Sequence, residues 1–201
     1  MTAAVIVSTA RTPIGRAFRG GFNDIKSPTL MGHALKAAAE RAHLDPADIE
    51  DVVIGSVLDA GTAGMNIARN AVFAAGWPVG CAAQTIDRQC SSGLMAISVA
   101  AKQIVVDGMR VTAAGGHENI SALQNPYLEW CARERDPAVI AKVPAAYMPM
   151  LETAEFVARR YSIGRGEQDV YACESQRRTA AAQAAGRFDA ELIPVDATMV
   201  I

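Results

Sequence analysis

Aromatic side chains are scarce in this sequence. Phenylalanine, tryptophan and tyrosine together make up 5% of its 201 residues, although 51% of the residues are hydrophobic. The apolar residues are therefore mainly aliphatic, which suits the layered core of an α/β protein. The same scarcity disfavours a binding module that works by stacking aromatic rings.

An excess of charge of one sign is also lacking. The formal net charge is −2 at pH 7 and no basic stripe with interleaved aromatic residues is present, so we expect no nucleic acid partner. No apolar run is long enough to span a membrane, and the sequence passes from Met1 directly into a strand-like segment rather than a secretory signal. We therefore expect no membrane partner and a cytoplasmic location.

Closely paired cysteines are missing as well. The four cysteines, Cys81, Cys90, Cys131 and Cys173, are widely spaced and include no Cys-x-x-Cys pair. This spacing predicts free thiols in a reducing compartment, and neither a disulfide framework nor a metal site.

Strand-like and helical patterns alternate along the first 120 residues. Apolar runs bounded by turn signals predict four strands, at 4–7, 51–58, 83–86 and 110–116. Helical patterns lie between them, at 27–43 with Ser27 as the cap, at 66–76, and after Cys90 as far as Val105. This alternation predicts an α/β fold with a mainly parallel sheet between helices.

The pattern changes after residue 120. Residues 124–127 and 133–137 contain loop-forming residues and predict loops, whereas 150–161 and 167–186 have helical patterns. We therefore divide the chain into a core domain at 1–120 and an incomplete, mostly helical domain at 121–201.

Cys90 is the candidate nucleophile. A short apolar run leads into it and a largely apolar helical run follows it. At a helix N-terminus, unpaired backbone N–H groups and the helix dipole favour a thiolate over a thiol. Ser91, Ser92 and Gly93 are small, so a substrate carbonyl could approach the sulfur. A buried, inert cysteine is the alternative interpretation.

His117 and Glu118 follow the last predicted strand. In open parallel sheets, functional groups gather beyond the carboxyl ends of the strands. We therefore expect the loop of His117 and Glu118 and the loop of Cys90 to share one edge of the sheet.

Several short stretches stand in a characteristic order, with Cys90-Ser91-Ser92-Gly93-Leu94 at the centre. The others are Arg11-Thr12-Pro13-Ile14-Gly15, 66–78, Gly115-Gly116-His117-Glu118, Met148-Pro149-Met150, Thr153-Ala154-Glu155, Gln168-Asp169, Ser175-Gln176-Arg177, Gly186-Arg187-Phe188 and Glu191-Leu192-Ile193-Pro194-Val195. In this order and spacing the sequence resembles the N-terminal half of a thiolase, an acetyl-CoA C-acyltransferase. The resemblance spans nearly every residue and implies a layered thiolase fold, with the region after 121 forming part of the loop domain.

The resemblance implies acyl transfer between CoA thioesters, by thiolysis of a 3-ketoacyl-CoA or by Claisen condensation of acetyl-CoA. Cys90 would carry the acyl group as a thioester, which divides one difficult carbon–carbon step into two easier ones. The backbone N–H of Cys90 would be an oxyanion donor, and Met150 would lie near the acyl pocket unless it is simply a core residue. The partners would be acyl-CoA and CoA as substrates, with no bound cofactor, in a homo-oligomer.

The sequence also departs from the family pattern. Thiolases take their activating base from a histidine in a Gly-His-Pro motif and a second cysteine from a glycine-rich segment, and this sequence contains neither. His117 stands where the family usually has methionine. A Cys90–His117 dyad is conceivable, but a pocket-lining role for His117 is favoured. We therefore expect the 201-residue chain by itself to lack turnover.

Two other functions stay open at this point. A ketoacyl synthase-like condensing enzyme also uses a cysteine between a strand and a helix. A non-catalytic, thiolase-like binding or scaffold subunit would keep the fold without turnover, although the presence of Cys90 argues against it.

Overall fold

The computed structural model describes residues 3–201 and divides the chain into two compact units. The first comprises the chain up to Tyr127 together with Glu191–Ile201, and the second comprises Leu128–Ala190. The assignment of a core domain to 1–120 and a loop domain to 121–201 stays a prediction.

The first unit is built on a parallel sheet of three strands in the order β2-β1-β3. The strands are β1 (Asp51–Gly55), β2 (Ala82–Ile86) and β3 (Thr112–Gly116). Their registers bring Gly55 beside Ile86 on one side and beside Gly116 on the other. All three strands therefore end at the same edge, as the alternation of strands and helices predicted.

Helices cover both faces of this sheet. In β1, Val52 and Ile54 pack in a cluster with α1 (Ser27–Arg41) and α2 (Ile67–Ala74). Val53 points to the opposite face and packs with α3 (Ser92–Val105). Alternate side chains of a strand point to opposite faces, so a strand buried on both sides is apolar throughout. The expected α/β fold with a sheet between helices is confirmed.

The strand expected at 4–7 is wrong. Within the described residues this segment is extended but belongs to no strand, and Val5, Ile6 and Val7 are each at least 70% exposed. Among the described residues, Arg11 is the first along the chain with backbone hydrogen bonds to a distant segment. Its N–H donates to the Glu191 carbonyl (2.8 Å), and its carbonyl accepts from the Ile193 N–H (2.9 Å). An apolar run becomes a strand only where a neighbouring strand accepts its hydrogen bonds, and the bonds at Arg11 are made to the 191–193 segment instead.

The loop expected at 124–127 is also wrong, because these residues lie inside α4 (Ile120–Arg133), with Pro126 in the helix interior. Proline removes one backbone donor. That loss is offset by packing, since Leu123 is buried in the core and Ile120 and Tyr127 pack against it. The loop expected at 133–137 is shorter than predicted, because α5 (Pro137–Lys142) begins at its last residue.

The second unit is helical. After α5 come α6 (Met150–Arg160) and α7 (Arg165–Ala184), both close to their predicted ranges. The Gly164 N–H donates to the Glu167 carboxylate (2.9 Å), which marks the start of α7.

The first helix of the chain differs from its prediction in one detail. Ser27 was expected as the cap, but α1 is capped at Lys26 and Ser27 is its first helical residue. No helix in residues 3–201 is long and apolar enough to cross a membrane.

Candidate active site

Cys90 lies in a tight connection between β2 and α3. The strand ends at Ile86 and the helix begins at Ser92, so five residues turn the chain from the sheet into the helix. Gln89, directly before the cysteine, has a left-handed backbone with a φ of 49°. This conformation is uncommon for a residue with a side chain and marks a sharp change of chain direction.

The Ser92 side chain holds this connection together. Its hydroxyl accepts a hydrogen bond from the Arg88 N–H (2.8 Å) and donates one to the Gln89 carbonyl (2.6 Å). Ser92 is buried, and the neighbouring Ser91 hydroxyl adds a bond to the Arg88 carbonyl (2.8 Å). The backbone on both sides of Cys90 is therefore fastened by the first turn of α3.

Three glycines let α3 approach the strand ends. A Cβ atom at Gly55 would lie 2.2 Å from the Ser92 carbonyl carbon, and one at Gly116 would lie 3.2 Å from the Gly93 Cα. Real Cβ atoms do not approach backbone atoms to 2.2 Å, so the contact at Gly55 admits only glycine. These contacts place the N-terminus of α3, and Cys90 before it, directly over the ends of β1 and β3.

Cys90 itself is exposed and carries a free thiol. Its sulfur forms no hydrogen bond or ion pair with any of residues 3–201. A solvent-accessible sulfur just before a helix N-terminus can meet a ligand from outside, which an enclosed sulfur cannot. The interpretation of Cys90 as a buried cysteine is therefore wrong.

His117 lies at the same edge of the sheet, directly after β3, and its backbone N–H donates to the Gly55 carbonyl (2.9 Å). It is only 9% exposed, and burial lowers its pKa to about 4, so the imidazole is neutral at pH 7. Within the described residues neither ring nitrogen has a hydrogen-bond partner, Cys90 included. A neutral, weakly basic imidazole without a bond to the sulfur does not support a Cys90–His117 dyad.

Glu118 joins two loops at this edge. Its carboxylate accepts hydrogen bonds from the Val57 and Leu58 N–H groups, each 3.1 Å long. The loops after β1 and β3 are thereby tied together beside the connection that carries Cys90. The strand order shows that the loops of Cys90 and His117 share one edge, with β1 between them.

A family model described as "Thiolase, N-terminal domain" matches residues 4–200 of this chain. The chain belongs to the thiolase family. It is 38% identical to a 3-ketoacyl-CoA thiolase of Bacillus subtilis over 199 residues, which cover 99% of this chain and 50% of the relative. It is 40% identical to an acetyl-CoA acetyltransferase of Cupriavidus necator over 97% of this chain and 51% of the relative.

A relative from Arabidopsis thaliana, "3-ketoacyl-CoA thiolase 2, peroxisomal", is 38% identical over 98% of this chain and 42% of its own length. The chain thus spans about half the length of the curated relatives that it matches. The resemblance to the N-terminal half of a thiolase is confirmed.

Met150, the other residue suggested by the thiolase resemblance, lies in the second unit. It is the first residue of α6 and is 75% exposed, so it is not a core methionine of that unit. Its role near the acyl group stays a prediction.

Sequence reasoning missed the supporting residues of this thiolase-family site. It treated Ser92 only as a small residue, although its hydroxyl fastens the turn. It also missed the contact of Gly55 with the start of α3. The available signal was a glycine in each of two predicted strands, Gly55 inside 51–58 and Gly116 at the end of 110–116, which often marks close backbone approach.

Proposed function

We propose that this chain supplies the acyl-carrying cysteine of a thiolase, which transfers acyl groups between CoA thioesters. The reaction is thiolysis of a 3-ketoacyl-CoA or the reverse condensation of acetyl-CoA. The observation that carries the proposal is the exposed Cys90 thiol, held over the end of the sheet by Ser92 and by the glycine contacts of α3.

In thiolysis, the Cys90 sulfur attacks the 3-keto carbonyl carbon of the 3-ketoacyl-CoA. A bond forms between the sulfur and this carbon, the bond from this carbon to C2 breaks, and C2 takes up the proton from Cys90, so that acetyl-CoA leaves. A CoA thiol then accepts the acyl group from the sulfur and returns a proton to it.

In condensation, the sulfur attacks the thioester carbonyl of acetyl-CoA and CoA leaves as a thiol with the proton from Cys90. The C2 carbanion of a second acetyl-CoA then accepts the acetyl group, and the proton lost from C2 returns to the sulfur. A covalent intermediate of this kind replaces one difficult step by two easier ones.

The position before α3 suits the oxyanion formed in that attack. Backbone N–H groups in the first turn of a helix lack intrahelical partners and lie at the positive end of the dipole. The N–H of Cys90 is the proposed donor to the developing oxygen charge. Donors that are already fixed in place lower the barrier without reorganising during the reaction.

The described residues do not supply a side chain that activates the Cys90 sulfur. No side chain in residues 3–201 hydrogen-bonds to the Cys90 sulfur, and His117 is buried, neutral and not bonded to it. We therefore expect this chain by itself to accept an acyl group slowly and to show no steady-state turnover.

Mass measurement of the intact protein after incubation with acetyl-CoA tests the proposal. We expect a slow gain of one acetyl group, which peptide mapping assigns to Cys90 and which C90S abolishes. C131S and C173S are matched controls, because both remove a free, exposed thiol of the second unit. Acetylation that persists in C90S, or that never occurs in the wild type, would favour a non-catalytic scaffold.

The proposed partners are acyl-CoA and CoA, in a cytoplasmic homo-oligomer in which Met150 contacts the acyl group. The names of the relatives support the CoA substrates, whereas several relatives are named as peroxisomal. Light scattering checks the oligomer, and a monomer at all concentrations would contradict it. Cell fractionation checks the location, with recovery in an organelle as the contrary result.

A further inference from the structure

Gln89, the residue before Cys90, has a left-handed backbone in an unusual place. Two other left-handed residues, His43 and Ser162, each lie just after the end of a helix, α1 and α6 respectively. That is an ordinary place for this conformation, because it ends the helix. Gln89 instead precedes α3, with a φ of 49°. A side chain makes this conformation unfavourable, so it persists only where surrounding contacts hold it.

Two neighbouring side chains hold Gln89 in this conformation. The Asp87 carboxylate accepts a hydrogen bond from the Gln89 N–H (2.8 Å), and the Ser92 hydroxyl donates one to the Gln89 carbonyl (2.6 Å). The Ser92 N–H donates to the same carbonyl (2.9 Å). A change of φ rotates the N–H and the carbonyl of Gln89 relative to each other. At least one of these bonds would therefore break if Gln89 left the left-handed region.

The same turn leaves the Cys90 N–H free. The Ser91 N–H donates to the Arg88 carbonyl (3.2 Å), whereas the Cys90 N–H donates to none of residues 3–201. This N–H belongs to the same peptide group as the Gln89 carbonyl. That peptide group is planar and trans, so its N–H points away from the side on which Ser92 holds the carbonyl. The direction of the free N–H is therefore set by the conformation of Gln89.

We propose that Gln89 is a positioning residue for acyl transfer, because its left-handed backbone aims the Cys90 N–H at the oxygen of the carbonyl that the Cys90 sulfur attacks. Asp87 and Ser92 maintain this conformation. The role rests on the proposed function, in which this N–H donates to the developing oxygen charge. Gln89 acts through its backbone alone, since its side chain is exposed and the substrate is held by other groups. A relaxed Gln89 would leave the sulfur reactive but deprive it of its donor.

Two reagents separate the direction of the N–H from the reactivity of the sulfur. With p-nitrophenyl acetate, a bond forms between the sulfur and the ester carbonyl carbon, the bond from that carbon to the phenol oxygen breaks, and p-nitrophenol leaves with the proton from Cys90. Negative charge develops on the carbonyl oxygen in this reaction. With iodoacetamide, the sulfur displaces iodide from a saturated carbon and its proton passes to solvent, so no oxyanion forms.

The quantity to measure is the ratio of the acetylation rate to the alkylation rate at Cys90, by mass mapping against time. Both reactions use the thiolate, so the ratio is insensitive to changes in the ionisation or the exposure of the sulfur. It responds to the donor that stabilises the carbonyl oxygen.

Two substitutions of Gln89 should give different ratios. Valine is β-branched and strongly disfavours the left-handed conformation, whereas glycine adopts it readily. The ratio in Q89V should therefore lie about tenfold below that in Q89G, the effect of one hydrogen bond. Both variants remove the Gln89 amide, so its loss cannot explain a difference between them.

Asp87 provides a second pair of variants, at an exposed side chain. D87A removes the acceptor for the Gln89 N–H and should lower the ratio several-fold, whereas D87N keeps an acceptor oxygen and should retain most of it. S98A is the control, because Ser98 lies within α3 beyond the turn, and it should leave the ratio unchanged. Circular dichroism checks that each variant is folded, and if Q89V is not, the Asp87 pair decides.

Equal ratios in the two members of either pair, measured on folded protein, would overturn the role of Gln89. A decrease in S98A as large as that in D87A would overturn it as well. Failure of the proposed function gives a different result, because it appears as the absence of acetylation by acetyl-CoA. Neither reagent used here contains CoA, so the two failures are distinguishable.

Discussion

The two ends of β2 carry two cysteines in opposite environments. Cys90 follows the carboxyl end and is exposed, whereas Cys81 precedes the amino end and is 3% exposed. Burial raises the pKa of the Cys81 thiol, and the nearby Asp51 carboxylate raises it further, although Arg69 acts in the opposite direction. A thiol that is buried and held protonated is a poor nucleophile.

The comparison shows that the residues at the two ends of β2 have different roles, structural at the amino end and chemical at the carboxyl end. At the amino end, Asp51 accepts hydrogen bonds from Gln84 (2.9 Å) and Gln103 (2.5 Å), and Cys81 packs in the core. At the carboxyl end the chain leaves the sheet through a turn that exposes Cys90. Polar groups at the amino end complete the core, whereas the Cys90 thiol at the carboxyl end remains available to ligands.

The largest expected effect is on thiol reactivity. Under native conditions Cys90 should react with iodoacetamide about a thousandfold faster than Cys81, because Cys81 reacts only after local opening of the structure. Mass mapping of each cysteine against time measures the two rates. The exposed Cys131 and Cys173 calibrate an accessible thiol. Equal rates at Cys81 and Cys90 in folded protein would remove the distinction between the two ends.

The next effect concerns the glycines at these two ends. G55A should lower the free energy of unfolding by about 3 kcal/mol, because its Cβ would overlap the backbone of Ser92 and Gly93. G80A is the matched control beside Cys81, since a Cβ there meets nothing within 4 Å. Urea denaturation measures both variants. A loss in G80A as large as that in G55A would show that the close approach of α3 is not the cause.

The third effect, which reaches its full size only at low pH, is a dependence of stability on pH that comes from the carboxyl end. Burial lowers the pKa of His117 from its ordinary value of 6.5 to about 4, so between these pH values the unfolded chain binds a proton that the folded chain does not. Its contribution is present above pH 6.5 and is lost as the pH falls towards 4, by up to about 3 kcal/mol. Urea denaturation from pH 7 to pH 4 measures this decrease.

The variant H117L should remove that part of the pH dependence, whereas H43N, at an exposed histidine, should retain it. If the slopes of wild type and H117L coincide over this range, His117 is not the titrating group.

Much of the fold could be predicted because its signals are local. The apolar residues of β1 and the helical pattern after Cys90 lie within single elements. The helix formed where it was expected, and the strand expected at 51–58 formed over Asp51–Gly55. The segment at 4–7 has an equally apolar sequence but makes no strand, because strand formation requires a partner elsewhere in the chain. Pro126 gave a local loop signal that packing of Leu123 overrode.

The candidate site divides in the same way. The sequence by itself determined that Cys90 lies between a strand and a helix, since the change from an apolar run to a helical pattern occurs there. Only the tertiary structure decided which thiol is exposed, because burial depends on how the sheet and helices pack. It also decided that Gly55 touches the start of α3 and that His117 is enclosed and neutral. These properties arise from contacts between residues far apart in the chain, and no local pattern encodes them.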